Sequence, residues 1–158
     1  MPKLRVGLFS FTGDEGCMIV ILEKISDKFA EWRDKMDIVA WRILKPEGEL
    51  PDMDVAFVEG AIANERELAR IKAIRQKAKR IVAVGSCAIT GAPSNHRNFF
   101  DPERLAEIKN ILERFGHLDK VHAIGDFVRV DAQVPGCPVD EDKFAQLMES
   151  YFKEFGVG

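Results

Sequence analysis

Three cysteines set the chemistry open to this sequence. Cys17, Cys87 and Cys137 lie far apart in the chain, each with a glycine at or near it: Gly16-Cys17, Gly85-Ser86-Cys87 and Gly136-Cys137-Pro138. An odd number of widely spaced cysteines does not read as a disulfide framework. Any one of them is explained as a small buried hydrophobe. Together they read as ligands, because glycine lets backbone approach a bulky inorganic centre and supplies amide donors to sulfur. The Cys-Pro step at Cys137 also matches the ending of some cluster-binding motifs. A cubane [4Fe–4S] cluster takes four protein ligands, usually all cysteine. The fourth candidate is Asp14, three positions before Cys17 in the spacing of a C-x-x-C pair. A carboxylate is a harder ligand than thiolate but can bind iron. Aspartate equally suits a helix start, so a capping role for Asp14 stands beside the ligand role.

The elements that must position these residues follow from apolar periodicity. Leu4 to Phe9 reads as a first strand, and Met18, Leu22, Ile25, Phe29 and Trp32 as one face of a first helix. DIVAWRI from Asp37 is a second strand, KPEGELPDMD a loop, and DVAFVEG a third strand. The linker between strands two and three is short for a crossover, and is expected to be a tight connection without a full helix. Asn64 with Glu67 forms an N-cap and capping-box partner for a helix bearing Leu68, Ile71, Ile74 and Ala78. RIVAVGSC from Arg80 has the character of a strand buried on both faces. Asp101-Pro102 opens a helix carrying Leu105, Ile108, Leu112 and Phe115, and Gly116 closes it. KVHAIG is the expected fifth strand, and Asp140 caps a last helix with Phe144, Leu147, Met148, Tyr151 and Phe155.

Apolar strands alternating with amphipathic helices imply an α/β class. The expected architecture is a flavodoxin-like three-layer fold with a five-stranded parallel sheet in the order 2-1-3-4-5. In such sheets ligands bind beyond the carboxyl ends of the strands. TGDEGC, VEGA and GSCAITGAP fall at or just past those ends, and VPGCPVD lies before the final helix. All three cysteines are therefore expected on one rim, where core filler would have no reason to collect.

Composition limits the alternatives. The 158 residues are 46% hydrophobic and 31% charged, as in a globular protein, and are expected to form a single domain over 1–158. A net charge of −3, with no basic stretch alternating with aromatics, argues against nucleic acid. No apolar run approaches the ~20 residues of a membrane span. With no leader pattern at the N-terminus, the expected location is cytoplasmic.

The segments TGDEGC, VEGAI, VGSCAITG and VPGCP, in this order and at these spacings, resemble the cluster-bearing domain of the small, electron-transferring subunit of [NiFe] hydrogenases. The likeness is strongest to the short cytoplasmic subunits of the soluble, multi-subunit enzymes and covers nearly the whole chain. The related cluster subunit of respiratory complex I shares the fold, but typically has two adjacent cysteines early on and lacks the VEG segment. The resemblance implies one proximal [4Fe–4S] cluster at the positions of Asp14, Cys17, Cys87 and Cys137. Asp14 stands where the family usually has cysteine. That departure leaves three outcomes: an Asp-ligated cluster, a three-iron [3Fe–4S] form, or a site that has lost its cluster. Val139 in place of a second proline is a minor change. Larger members carry further clusters in another domain, for which this chain has no cysteines left.

The implied role is one-electron relay. The implied partners are a [NiFe]-hydrogenase-type large subunit, where hydrogen is split or formed, and further electron-transfer subunits. By the same likeness Glu59 lies near the cluster and the large-subunit interface, as a proton relay or hydrogen-bond partner. Its plainer role is a strand-end carboxylate bonded to nearby amides.

Two other readings compete. SFTGDEG also resembles the phosphate loop of flavodoxins, with Ser10 and Thr12 as hydroxyl donors to FMN. Asp14 and Glu15 oppose that by placing negative charge where a phosphate would sit. A cluster-free assembly or scaffold subunit is the third reading.

Overall fold

Period-two alternation in the apolar strands decides the layering. A computed structural model describes residues 2–158, and Met1 of the expected 1–158 domain lies outside the described residues. The elements are β1 (Leu4–Ser10), α1 (Gly16–Asp27), α2 (Phe29–Trp32), β2 (Met36–Ala40), β3 (Met53–Glu59), β4 (Ile62–Asn64), α3 (Glu65–Lys77), β5 (Ala78–Val84), α4 (Gly85–Thr90), α5 (Pro102–Arg114), β6 (His117–His122), β7 (Ala132–Val134) and α6 (Glu141–Glu154).

Leu4, Val6 and Leu8 of β1, Val55 and Phe57 of β3, and Val82 and Val84 of β5 face α1 and α6 in one core. Phe9, Ala56, Val58, Ile81 and Ala83 point the other way, against Ile71 and Ile74 of α3. Three layers result, because each strand supplies apolar side chains to both faces. The first core is the more aromatic. Phe57 and Phe144 meet edge-on at 5.1 Å between centroids, and Trp32 meets Phe152 at 5.8 Å. Such pairs add about 1 kcal/mol each beyond the area they bury.

The main sheet is parallel, in the order β2-β1-β3-β5-β7. Counted along this sheet alone, that is the expected flavodoxin-like 2-1-3-4-5. Residues 41–52 connect β2 to β3 without a helix, as expected. The register of the sheet matters for function. Ser10 pairs with Glu59, Glu59 with Val84, and Val84 with Val134, so four strands end in one row. The loops that follow start from a common edge.

The structure corrects several sequence expectations. KVHAIG is not the fifth strand of the main sheet. Residues His117–His122 form β6, which pairs antiparallel with β4 in a separate two-stranded sheet. The fifth strand is β7, three residues long with one buried side chain, too short to show alternation. The apolar content of KVHAIG is used elsewhere: Val121 packs with Ala61 and Ala63, and Ile124 enters the α3-side core.

The first helix breaks at Lys28 into α1 and α2, and its buried residues are Met18, Ile21, Ile25 and Trp32. Phe29, expected on that face, is 58% exposed. β2 ends at Ala40 rather than continuing to Ile43, and Cys87 stands in α4 rather than at a strand end. α5 forms as expected, with the Asp101 carboxylate accepting from Arg104 N at 2.9 Å, but none of its residues is buried. Its apolar side chains reflect helical periodicity without a core to meet.

Candidate metal centre

The row of strand ends delivers the cysteines. Cys17 is the second residue of α1, Cys87 the third of α4, and Cys137 lies in the turn between β7 and α6. All three are free thiols; Cys17 and Cys87 are half-buried and Cys137 is exposed. The turns around them interlock. Ser86 N donates to Gly136 O at 2.9 Å, fastening the Cys137 turn to the start of α4. Gly85 has φ +80, and a Cβ there would stand 2.5 Å from the Cys17 sulfur and 3.4 Å from Gly136 O. Only glycine accepts that backbone angle while leaving the sulfur its space. One glycine thus marks where the three cysteine-bearing segments converge.

A second fastening orients the loop that carries Asp14. Gly60, with φ +84, has no room for a side chain, since a Cβ would come within 2.7 Å of the Phe11 carbonyl carbon. This close approach lets Thr12 N donate to Ala61 O at 3.0 Å and Ala61 N to Thr12 O at 2.8 Å. Glu67 ties the same loop to α3. Its carboxylate accepts from the Thr12 hydroxyl at 2.9 Å and from Ala63 N at 2.8 Å. The expected capping box is therefore shifted: Asn64 caps Glu67 N, but Glu67 reaches back past Asn64. Glu15, at the start of α1, has φ +61, an uncommon angle for a side-chain-bearing residue, and pairs with Arg42.

Glu59 ends β3 and is only 4% exposed, alone among polar and charged residues in the described core. Its carboxylate accepts from the Ser10 hydroxyl at 2.9 Å and from Met18 N at 3.2 Å. The Cys17 thiol lies beside it. Burial pushes the Glu59 carboxyl above the usual carboxylate range, and the Ser10 and Met18 donors only partly oppose this. Burial likewise pushes the Cys17 thiol up to about 11, with the Val139 amide pulling it down and the Glu59 carboxylate adding to the rise.

Cys87 accepts a hydrogen bond of 3.2 Å from the Ser94 hydroxyl and packs under Ala61, Ala63 and Val121. Sequence reasoning did not single out Ser94 or the Val139 amide. Neither carries a signal, since one is a hydroxyl in a proline-containing loop and the other a main-chain group.

Asp14 is not joined to the thiols. Its exposed carboxylate accepts from Gly16 N at 2.9 Å, a local turn one residue before the α1 cap position, which Glu15 occupies, so the expected capping role is not taken either. Among the described residues no three His, Cys, Asp or Glu side chains are grouped to hold one metal ion. A single ion draws its sulfurs into one shell at about 2.3 Å. Thiols are the donor type that an iron–sulfur cluster takes, so the residue types carried by these loops suit one.

The flavin alternative loses its donors, because the Ser10 and Thr12 hydroxyls are both committed to carboxylates. A cavity of about 160 Å³ borders the rim at Ser10, Glu15, Trp41 and Arg42. It is smaller than the ~300–1,000 Å³ pockets that take drug-sized ligands. Among the described residues no helix is long and apolar enough to cross a membrane.

The chain is 32% identical over 148 residues to a subunit of the vhu F420-non-reducing hydrogenase of Methanocaldococcus jannaschii, covering 85% of this chain and 51% of that protein. It is 23% identical to the delta subunit of sulfhydrogenase 2 of Pyrococcus furiosus, over 92% of this chain and 60% of that one. The chain thus spans about half the length of the first of these and three-fifths of the second. Among solved structures, one chain of an NAD+-reducing [NiFe]-hydrogenase superposes with a TM-score of 0.79 at 26% identity, covering 94% of this chain and 90% of that chain. The model of the NADH ubiquinone oxidoreductase, 20 Kd subunit family matches residues 15–151, and the chain belongs to that family.

Proposed function

We propose that this family member is the electron-relay small subunit of a cytoplasmic [NiFe]-hydrogenase-like oxidoreductase, with residues 1–158 as one iron–sulfur domain. The observation that carries the reading is the meeting of three cysteine-bearing segments at one edge of the sheet, marked by Gly85 packed against the Cys17 sulfur and Gly136. Cys17, Cys87 and Cys137 would hold one [4Fe–4S] cluster, which when bound supplies one-electron transfer. The rest of the work is done by the chain. Gly85 leaves space at the Cys17 sulfur, the Val139 amide lies beside that sulfur, the Ser94 hydroxyl donates to the Cys87 sulfur, and Glu59 is held at a fixed place beside Cys17.

As a buried carboxyl beside the Cys17 thiol, Glu59 is suited to accept or pass a proton near the interface. Asp14 serves as fourth ligand by giving up its bond to Gly16 N. A carboxylate so placed is readily protonated or displaced, which makes that corner labile and the [3Fe–4S] form accessible.

The partners in this reading are a [NiFe]-hydrogenase-type large subunit and further electron-transfer subunits. Exposed Ile19, Ile43 and Leu44 near the rim supply apolar surface for docking. The names of the relatives support the assignment.

The test is anaerobic iron and acid-labile sulfide analysis with EPR after dithionite reduction. About four irons and four sulfides per chain support the reading, and about three indicate a loose corner. No iron after reconstitution overturns it in favour of a scaffold, or of a flavoprotein if FMN is bound. Asp14→Cys is expected to give a more oxidation-resistant four-iron centre. Unchanged iron content and spectrum in that variant would remove Asp14 from the ligand set.

A further inference from the structure

The loop after α4 folds back onto its own helix. Gly91 N donates to Cys87 O at 2.8 Å and Asn95 N to Gly91 O at 2.9 Å, a tight return over the helix end. The Thr90 hydroxyl donates to Ser86 O at 2.9 Å and accepts from Ala92 N at 3.1 Å. The far side of the loop is clamped to β6. Asn98 Nδ2 donates to Val121 O at 2.8 Å and its Oδ1 accepts from Val121 N at 2.8 Å. Arg97 donates to Leu118 O at 2.6 Å and to Asp119 O at 2.8 Å. Between these two clamps sits Ser94, half-buried, its hydroxyl 3.2 Å from the Cys87 sulfur.

We propose that Ser94 is a positioning residue that sets the reduction potential at this centre, by donating its hydroxyl hydrogen bond to Cys87 sulfur. The proposal rests on the iron–sulfur reading above. A hydroxyl aimed at a thiolate withdraws charge from sulfur. The more negative, reduced state gains more from it than the oxidised state, so the potential rises. No proton is transferred in this role, and the hydroxyl remains protonated throughout. The loop that carries Ser94 is held on both sides by these hydrogen bonds, and that places its half-buried hydroxyl at the Cys87 sulfur.

The experiment compares the anaerobically reconstituted full chain with Ser94→Ala, and the isosteric pair Ser94→Thr and Ser94→Val with each other. Iron content and the EPR-monitored midpoint potential are measured for each. Ser94→Ala is expected to shift the one-electron equilibrium about tenfold towards the oxidised state, a potential about 59 mV more negative. Ser94→Thr, which keeps the hydroxyl, is expected to stay near wild type and Ser94→Val to follow alanine. A merely structural role would move threonine and valine together, and that result overturns the proposal. So does an unchanged potential in iron-replete Ser94→Ala or Ser94→Val. Wild-type chain that takes up no iron overturns the function proposed above, and this inference with it.

Discussion

Two carboxylates of the main sheet, one buried and one half-buried, are held in opposite ways. Asp131, just before β7, has a side chain only 9% exposed. The Arg75 guanidinium donates to it at 2.7 Å and Ile81 N at 2.8 Å. Glu59, at the carboxyl end of β3, has a hydroxyl and an amide for donors and, among the described residues, no salt-bridge cation. Burial raises both carboxyls, but at Asp131 the Arg75 and Ile81 donors with the Arg129 charge outweigh it, holding that carboxyl below the usual range. At Glu59 burial wins. Asp131 is a structural clasp joining α3, β5 and β7, already neutralised. Glu59 and the thiols beside it form a region whose negative charge, once developed, is left for something else to balance.

The largest expected effect tests the rim directly. Replacing Cys17, Cys87 and Cys137 together by serine should abolish iron binding while the circular dichroism spectrum and the urea midpoint of the iron-free chain stay close to wild type. If the triple variant cannot fold, the thiols are core rather than ligands and the contrast with the clasp fails. Asp131→Asn should come next, costing about 2 kcal/mol in urea unfolding, since the Arg75 charge and the Ile81 amide lose their acceptor.

That loss should depend on pH. The Asp131 carboxyl is depressed in the folded state, so its contribution is complete above the ordinary carboxylate value of about 3.9 and disappears as pH falls through the lower folded value. Unfolding curves of wild type and Asp131→Asn should therefore converge on acidification below about pH 4. The smallest effect is expected at Glu59. Glu59→Gln removes a buried charge but keeps shape and an acceptor, so the iron-free chain should be within about 1 kcal/mol of wild type, on the stable side. A loss as large as that of Asp131→Asn would place Glu59 among the structural clasps.

Much of this organisation was readable from local pattern. β1, β3 and β5 announced themselves because strands covered on both faces must be apolar nearly throughout. The caps at Asn64, Asp101 and Asp140 form where the sequence places them, since capping is a contact between near neighbours. The failures were cases in which local pattern and tertiary partner disagree. KVHAIG has strand character but pairs in a side sheet, AQV has almost none yet completes the main sheet, and the apolar stripe of α5 faces no core. Phe29 belongs with these, because the turn at Lys28 rotates it away from the face that Met18 and Ile25 share.

For the candidate site, residue type and spacing alone determined which groups were available: three thiols, two carboxylates, and glycines beside the cysteines. Those are covalent facts, independent of folding. Only the tertiary structure decided what each one meets. The aligned strand register gathers loops separated by up to 120 positions onto one rim, and the Gly85 contact brings the Cys17 sulfur and the Cys137 turn together. The same packing turns Asp14 onto its own helix, buries Glu59 without a cation, and presses Ser94 against Cys87. Contacts between distant segments depend on register and packing, which no short window of sequence contains.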